Sequence, residues 1–274
     1  MPIALTIAGS DSGGGAGIQA DLKTFEALGV HGTSVVTCVT AQNPRRVRSI
    51  EPCSAAMVRR QLEAVFEELR PHAVKTGMLF SAGIIRAVAQ FLKSAGKIPI
   101  VVDPVMIATS GRRLLNRDAL DALTNELFPL ATLVTPNLAE AAVLTGRSIG
   151  SIEEMRAAAK EISRRYGCAA LVKGGHLSGS REAVDVLLEG ENEWLLTAQR
   201  VHGRRLHGTG CTYASAIAAY LARAAARRTS RNAKPDRRLL SPVLEARKHI
   251  TGAIAHAQLA RGHWILSSLW RTSG

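Results

Sequence analysis

The sequence has no feature typical of a membrane-spanning or secreted protein. No apolar run reaches the roughly 20 residues that a helix needs to cross a bilayer. The opening residues, MPIALTIAGSDSGG, lack a basic segment ahead of the apolar one, so they do not predict a signal peptide. Only four cysteines are present and none form a CxxC pair, which favours reduced thiols over a disulfide framework. These absences predict a cytoplasmic protein that does not associate with membranes.

Aromatic residues are scarce, and the positive charge is unevenly distributed. Aromatics make up 4% of the 274 residues against 46% hydrophobic residues, so aliphatic side chains must fill the core. Nearly half of the net charge of +13 comes from residues 223–238, which contain seven basic residues and one acid. Because no aromatic residue lies there to stack on bases, we expect an exposed helix end and loop and no nucleic-acid partner. A non-catalytic nucleic-acid-binding protein is the alternative that the charge motivates.

Short apolar runs alternate with longer helical patterns along the chain. Strands are predicted at residues 3–8, 31–40, 73–75, 98–102, 133–135 and 169–173, with a hairpin at 183–188 and 193–197. Helices are predicted at residues 16–28, 54–69, 81–95, 151–166, 210–223 and 243–259. Strands that are apolar on both faces and separated by helices are typical of a parallel sheet covered on both sides. We predict one α/β domain over residues 1–274, with a basic segment at about residues 224–240 that we expect to be flexible.

Ligands of parallel α/β sheets bind at the carboxyl ends of the strands, so the segments after the predicted strands are the candidate site. The first is the glycine-rich turn GSDSGGGAG, residues 9–17, whose backbone N–H groups can approach an anion or a flat ring. The Walker pattern GxxxxGK[ST] is absent, which excludes a P-loop enzyme. Residues 15–20 match GxGxxA, but the second strand ends in TAQN without the acid that binds a dinucleotide ribose. A Rossmann dehydrogenase is therefore disfavoured.

Gln42 ends the second predicted strand. Its side-chain amide can donate and accept hydrogen bonds, which suits the ring edge of an aminopyrimidine. Asp21, on the first predicted helix, can serve the same ligand. A loop-capping amide is the alternative interpretation of Gln42.

Acidic residues follow the next two predicted strands. Asp103 ends a buried strand, where an unpaired charge would be costly. Glu140 lies three residues after Asn137, so one helical turn can bring both side chains near one point. Asp103 and Glu140 together suit a hydrated Mg²⁺, which prefers few carboxylates and several waters. The alternative for Glu140 is a first-turn acid favoured by the helix dipole.

Two further segments favour phosphate chemistry. Lys173 ends a strand in VKGGH, which can place an ammonium beside a phosphate, although a lone lysine there is usually a surface residue. Gly208, Thr209, Gly210 and Cys211 open a long small-residue helix whose N–H groups can form an anion hole. The helix dipole is expected to lower the pKa of the Cys211 thiol, which can then act as a general base toward a hydroxyl group. A buried structural cysteine is the alternative.

In this order, AGSDSGGGAGIQAD, TAQN, DPVM, TPNxxEA and HGTGC resemble the hydroxymethylpyrimidine/phosphomethylpyrimidine kinases of thiamin biosynthesis, which are ribokinase-like proteins related to pyridoxal kinases. The similarity runs from residue 3 to about residue 259. It implies a ribokinase-like three-layer α/β/α sandwich with a mostly parallel central sheet. It also implies that the chain forms a homodimer. It implies a phosphotransferase that uses ATP and Mg²⁺ to phosphorylate 4-amino-5-hydroxymethyl-2-methylpyrimidine and its monophosphate. A pyridoxal or pyridoxine kinase is the alternative, because some similar proteins with this thiol accept pyridoxal.

The resemblance also implies roles for individual residues. The pyrimidine neighbours would be Gly9, Ala16, Asp21, Gln42, Met78 and Val105. The nucleotide neighbours would be Asp103, Asn137, Lys173 and Thr209, and the Mg²⁺ ligands would be Asp103 and Glu140. The catalytic group would be the Cys211 base with the amides of Gly208, Thr209 and Gly210.

Two positions depart from the pattern of this family. Thr76 stands where KIGM has isoleucine, and Arg112 stands where SGD has an acid. The second departure puts nucleotide affinity or the behaviour of a lid in doubt.

Overall fold

In the computed structural model, a mixed nine-stranded sheet runs through the part of the chain that is described, residues 1–106, 115–175, 177, 182–201, 206–228 and 239–270. The sheet order is β3-β2-β1-β4-β5-β6-β7-β8-β9. The strands from β2 to β7 in this order are parallel, and β3, β8 and β9 are antiparallel additions at the two edges. The predicted mostly parallel sheet is confirmed.

The strands are β1 (Ile3–Asp11), β2 (His31–Asn43), β3 (Arg46–Pro52), β4 (Ala73–Thr76), β5 (Ile100–Val102), β6 (Leu133–Val134), β7 (Ala169–Gly174), β8 (Glu182–Glu189), β9 (Asn192–Gln199), β10 (Gln258–Ala260) and β11 (His263–Ile265). The helices are α1 (Gly17–Ala27), α2 (Ala55–Glu68), α3 (Ala82–Ser94), α4 (Arg117–Ala122), α5 (Leu138–Thr145), α6 (Ile152–Tyr166), α7 (Thr209–Arg228) and α8 (Leu240–Ala255). A π-helical turn (Leu123–Leu127) and a 3₁₀ turn (Phe128–Leu130) continue α4. None of the helices within the described ranges has the length and apolar character that crossing a membrane requires.

Helices cover both faces of the sheet and give the three layers. Alternate residues of a strand point to opposite faces, so Val101 and Val102 belong to different cores. Helices α2 to α6 pack on one face, and α1, α7 and α8 pack on the other. The second face is lined largely by alanine from α7, which lets this helix lie close to the strands.

The same alternation carries several polar side chains onto the face beneath α1 and α7. Thr6 and Lys75 follow Ala4 and Ala73 by two residues on their strands, and both are fully buried. Lys173 follows Leu171 in the same way on β7. This face therefore changes from apolar to polar as the parallel strands approach their carboxyl ends.

Several elements differ from the expectations, and the helices α4 and α5 and the β10–β11 hairpin were not among the predicted elements. The strand β3, with the sequence RVRSIEP, was not predicted, because most of its residues are exposed and it gains order only by pairing with β2. The last helix ends at Ala255 instead of residue 259, since the chain turns there and Leu259 lies in the short β10–β11 hairpin. Most of the basic segment at about residues 224–240 lies outside the described residues, as does Arg112.

Candidate active site

The polar segments predicted from the sequence meet at one edge of the sheet. The parallel strands β1, β2, β4, β5, β6 and β7 all end there, and α1, α5 and α7 begin there. A bridge between Asn137 and Lys173 joins the ends of β6 and β7. The edge therefore brings together residues that are up to 200 positions apart in the sequence.

Asp11 organises the glycine-rich turn, and the sequence analysis did not single it out. Its carboxylate accepts N–H hydrogen bonds from Gly13 (2.8 Å), Gly15 (3.1 Å) and Ala16 (2.8 Å). Burial by itself would raise the pKa of Asp11, but the hydrogen bonds from His207 and from these amides hold the pKa below its usual value. Several amides of the turn thus bind an internal carboxylate, which fixes the shape of the turn.

The glycine turn and the start of α7 touch through their backbones. A Cβ on Gly208 would lie 1.7 Å from the carbonyl oxygen of Gly15, and the φ of Gly208 is +83°. A Cβ on Gly17 would lie 2.3 Å from the carbonyl oxygen of Gly9, with a φ of +57°. Only glycine fits both positions, so these glycines allow two loops to close on one site.

Gln42 lies at this junction and contacts His207, a second residue that the sequence analysis missed. The side-chain nitrogen Nε2 of Gln42 is 2.8 Å from Nε2 of His207, and the same ring nitrogen is 3.4 Å from Oδ2 of Asp11. His207 directly precedes Gly208, so its place at the head of HGTGC was the available signal. The glycine turn, the end of β2 and the start of α7 are linked through this imidazole.

Gly9 and Met78, two of the residues predicted to neighbour the pyrimidine, are close to each other. A Cβ on Gly9 would lie 2.8 Å from Cε of Met78 and 2.7 Å from Sγ of Cys38. Val105, at the end of the described part of the β5–α4 connection, has a φ of +40°, which is strained for a β-branched residue. Such strain is typical of residues held at functional sites.

Asp21 is enclosed by side chains from three other elements. Its side chain is fully buried and forms a 2.8 Å ion pair with Lys75. It also accepts hydrogen bonds of 2.6 Å from the hydroxyl groups of Thr6 and Ser215. Asp21 therefore joins α1, β1, β4 and α7 through both carboxylate oxygens, and its predicted contact with the pyrimidine stays a prediction.

Asp103, Lys173 and Glu140 form a second charged cluster. The Lys173 ammonium donates to Oδ1 of Asp103 at 2.9 Å, and the Thr135 hydroxyl donates to the same oxygen at 3.3 Å. A Cβ on Gly210 would lie 3.4 Å from the Lys173 nitrogen and 3.7 Å from Oδ2 of Asp103. The ion pair thus faces the first turn of α7.

Glu140 serves the second of the two roles considered for it, that of a first-turn acid of α5, and its role as a Mg²⁺ ligand stays a prediction. Its Oε2 accepts the N–H of Asn137 at 3.0 Å, while the Asn137 side chain accepts the N–H of Glu140 at 2.9 Å, which makes a capping box for α5. Burial and the neighbouring charge of Asp103 raise the pKa of Glu140 to about 7. The helix cap holds this carboxyl beside Asp103.

The two carboxyl groups can accommodate a divalent cation. Asp103 and Glu140 share one neighbouring cation, Lys173, which leaves a net negative charge when both are ionised. No cluster of three potential ligands occurs among the described residues, and Mg²⁺ does not need one, since it keeps several waters and phosphate oxygens. The donor set fits a hydrated Mg²⁺ that arrives with a nucleotide.

The thiol of Cys211 lies in the first turn of α7, but its titration differs from the expectation. Burial raises its pKa to about 11, and this effect exceeds the lowering by the Lys75 ammonium and by the N–H of Gly17. The charges of Asp21 and Asp103 raise the pKa further. The expected lowering by the helix dipole was wrong, because desolvation of the thiolate outweighs the nearby donors.

Most of the chain is similar to proteins of one known family. The family model for phosphomethylpyrimidine kinase matches residues 11–265. The chain belongs to this family. A hydroxymethylpyrimidine/phosphomethylpyrimidine kinase of Rhizobium meliloti is 56% identical over 222 residues, which cover 81% of this chain and 83% of the relative.

Two other proteins are similar to nearly the whole of this chain. A thiamine biosynthesis bifunctional protein of Geobacter sulfurreducens is 47% identical over 94% of this chain, which spans half the length of that relative. The solved structure of Bacillus subtilis pyridoxal kinase in complex with ADP superposes with a TM-score of 0.88 at 33% identity, with complete coverage of both chains. The predicted fold and the predicted class of enzyme, a phosphotransferase of the pyrimidine-kinase family, are confirmed.

Proposed function

We propose that this kinase transfers the terminal phosphoryl group of ATP to the hydroxymethyl oxygen of 4-amino-5-hydroxymethyl-2-methylpyrimidine, and then to the resulting monophosphate, in thiamin biosynthesis. The observation that carries the proposal is the meeting of three parts at one edge of the sheet. These parts are the glycine turn with Gln42, the Asp103–Lys173 ion pair and the first turn of α7 with Cys211. Together they supply a ring site, a phosphate site and a proton acceptor.

The pyrimidine is assigned to the side formed by the glycine turn. Gly9, Met78 and Val105 provide its apolar walls, and Ala16 begins the helix beside it. The Gln42 amide can hydrogen-bond to the ring edge while His207 and Asp11 hold it in place. Under this assignment Asp21 acts from below, by fixing α1 and α7 through Thr6, Lys75 and Ser215.

The nucleotide phosphates are assigned to the side formed by Asp103, Asn137, Lys173 and Thr209. The Lys173 ammonium lies against the first turn of α7. The N–H groups of Gly208, Thr209 and Gly210 are assigned to stabilise the phosphoryl charge that develops there. Asp103 and Glu140 would hold Mg²⁺, which neutralises charge on the phosphate oxygens when it is bound. Phosphoryl transfer requires mainly such positioning and charge stabilisation.

Cys211 is assigned as the base that receives the proton of the hydroxymethyl group at its Sγ. Since burial favours the neutral thiol, this role depends on the Lys75 ammonium and the Gly17 amide, which favour the thiolate. A base whose pKa is raised gives a rate that increases with pH as more of the thiol ionises. This assignment therefore places the enzyme on the rising part of its pH–rate profile at neutral pH.

Pyridoxal kinase activity is the second candidate, and the similarity to the Bacillus subtilis pyridoxal kinase favours it. The two activities share the phosphate side of the site and differ in the ring that meets Gln42. The ring specificity therefore needs a direct measurement.

ADP release by the purified chain with ATP and Mg²⁺ tests the proposal on three acceptors: hydroxymethylpyrimidine, its monophosphate and pyridoxal. Turnover on both pyrimidines, well above pyridoxal, supports the two-step assignment. Turnover on pyridoxal alone moves the chain to the second candidate. A lack of turnover on all three contradicts the kinase function of this site as assigned.

A homodimer in the cytoplasm is also proposed, on the resemblance alone. Light scattering of the purified chain measures the mass directly. A mass near 29 kDa, the value for a single chain, contradicts the dimer.

A further inference from the structure

A buried ion pair lies directly behind Lys173 and takes no part in the chemistry assigned above. Asp185 of β8 is 4% exposed and Arg247 of α8 is 7% exposed. The guanidinium of Arg247 donates one hydrogen bond to the carboxylate of Asp185 and another to the carbonyl oxygen of Ala183. Both residues lie on the face of the sheet that α7 and α8 cover.

Asp185 is the cross-strand neighbour of Lys173. The two residues are paired in the antiparallel register of β7 and β8, so their side chains rise from the same face of the sheet. Asp185 also accepts the N–H of Gly174, the residue after Lys173, at 3.0 Å. Burial raises the pKa of Asp185 above its usual value, and the positive charge of Lys173 acts in the opposite direction. Lys173 therefore has three carboxylates within its electrostatic range, Asp103 and Glu140 toward the site and Asp185 behind it.

In the structure, Lys173 forms its ion pair with Asp103 and not with Asp185. Its ammonium bonds to Asp103 at 2.9 Å, toward the site, while Asp185 is occupied by the Arg247 guanidinium. A buried carboxylate without a partner is costly, so removal of Arg247 would leave Asp185 in need of a cation. Within the described part of the chain, the other cation whose charge acts on Asp185 is its cross-strand neighbour Lys173.

We propose that Arg247 is a positioning residue: by occupying Asp185, it leaves the Lys173 ammonium directed toward Asp103 and the phosphate groups of the nucleotide. The inference rests on the proposed phosphate role of Lys173. It concerns how a helix outside the site, near the end of the chain, controls the nucleotide affinity of the site. We do not expect the pyrimidine side to be involved, because the side-chain nitrogen of Gln42 lies against His207 while Arg247 is bound to Asp185 and Ala183.

Steady-state kinetics of Arg247→Met test the inference. We expect the KM for ATP to rise about tenfold, since Lys173 is drawn to Asp185, while kcat at saturating ATP and the KM for the pyrimidine change less than about threefold. The double variant Asp185→Asn/Arg247→Met removes the competing carboxylate and is expected to restore the KM for ATP. A merely structural role of Arg247 would lower the melting temperature of both variants without this recovery.

Two further variants keep the test decisive. Arg247→Gln retains donors for Ala183 and Asp185 without the charge, and it serves if Arg247→Met does not fold; the same rise in the KM for ATP is expected. Arg247→Lys keeps a cation on Asp185, and we expect a KM for ATP close to that of the original chain. An unchanged KM for ATP in Arg247→Met and Arg247→Gln, or no recovery in the double variant, would overturn the inference.

Lys173→Met separates this inference from the proposed function. If Lys173→Met raises the KM for ATP and Arg247→Met does not, the phosphate role stands and the positioning role is wrong. If Lys173→Met leaves the KM for ATP unchanged, the phosphate role of Lys173 is wrong. The positioning role of Arg247 is then wrong as well, because it depends on the phosphate role.

Discussion

At the scale of single residues, the surroundings of Cys211 decide how the thiol can act. The thiol lies near one buried ammonium, Lys75, and one backbone donor, Gly17, while burial and two carboxylates oppose ionisation. A catalytic thiol is usually recognised by a lowered pKa, and this one is recognised instead by its place at the start of α7. Its role therefore has to be tested by substitution and not inferred from titration.

Replacement of Cys211 by alanine is expected to lower kcat by about 10²–10⁴-fold, because the proton acceptor for the hydroxymethyl group is removed. The melting temperature and the KM values are expected to change little. Cys168→Ala is the control, since Cys168 is a buried thiol that precedes β7 at the opposite edge of the sheet. Near-normal turnover of Cys211→Ala with an intact fold would contradict the base assignment.

Thr76 departs from the family pattern at a position where the fold prefers an apolar side chain. The residue is fully buried, and its hydroxyl has no hydrogen-bond partner among the described residues. A buried hydroxyl without a partner costs about 1–3 kcal/mol. Thr76→Val, which keeps the shape and removes the hydroxyl, is expected to raise the free energy of unfolding by about 1 kcal/mol in chemical denaturation. A less stable Thr76→Val would mean that the hydroxyl is satisfied in solution.

At the scale of the elements, the site depends on how closely the start of α7 approaches the glycine turn. Gly208 has a φ of +83°, and a Cβ there would overlap the carbonyl group of Gly15. Gly29 has a similar φ of +68°, but a Cβ there would meet no atom within 4 Å. Substitutions at the two glycines therefore distinguish two free-energy costs. One is the cost of a side chain in the left-handed backbone conformation, and the other is the cost of the steric overlap with Gly15.

Gly29→Ala is expected to cost about 1–2 kcal/mol of stability, which is the cost of placing a side chain in the left-handed region. Gly208→Ala is expected to cost more and to lower turnover sharply, since the loop must move away from Gly15 and the amides of α7 move with it. Thermal unfolding and kcat measured on both variants check this. Equal losses of stability in the two variants, with normal turnover in Gly208→Ala, would contradict the importance of the contact.

The elements that the sequence predicted well are those with a strong local pattern. The helices α2, α3 and α6 begin one residue after the Ser54, Ser81 and Ser151 caps, since each serine side chain accepts a backbone N–H. The strand β3 has no such pattern, because its two aliphatic residues, Val47 and Ile50, are three positions apart and its other residues are exposed. Pairing with β2, a contact between segments, is what makes it a strand.

At the scale of the whole molecule, Glu140 couples the stability of the fold to pH. Its pKa is about 7 in the folded chain against an ordinary value of 4.5. A carboxyl group with a raised pKa binds more protons in the folded state, so its protonation stabilises the fold at low pH and this contribution is lost as the pH rises through 7. The window in which stability falls is therefore about pH 4.5 to 7.

We expect the free energy of unfolding to fall more between pH 5 and pH 8 in the original chain than in Glu140→Gln, by on the order of 2 kcal/mol. Denaturant unfolding at several pH values measures both. Asp118→Asn is the matched control, because Asp118 is an exposed first-turn acid of α4 and its loss should leave the pH dependence unchanged. Parallel pH profiles for the original chain and Glu140→Gln would contradict the raised pKa of Glu140.

The sequence by itself determined the class of fold, the order of most elements and the family. Apolar runs, serine caps and glycine turns are local signals, and the strand ends carry the motifs, so Gln42, Asp103, Lys173 and Cys211 could be singled out. Only the tertiary structure decided the partners of these residues. Asp11, His207 and Lys75 act through contacts with distant segments, and burial, which sets the pKa of Cys211 and Glu140, exists only once the layers have packed.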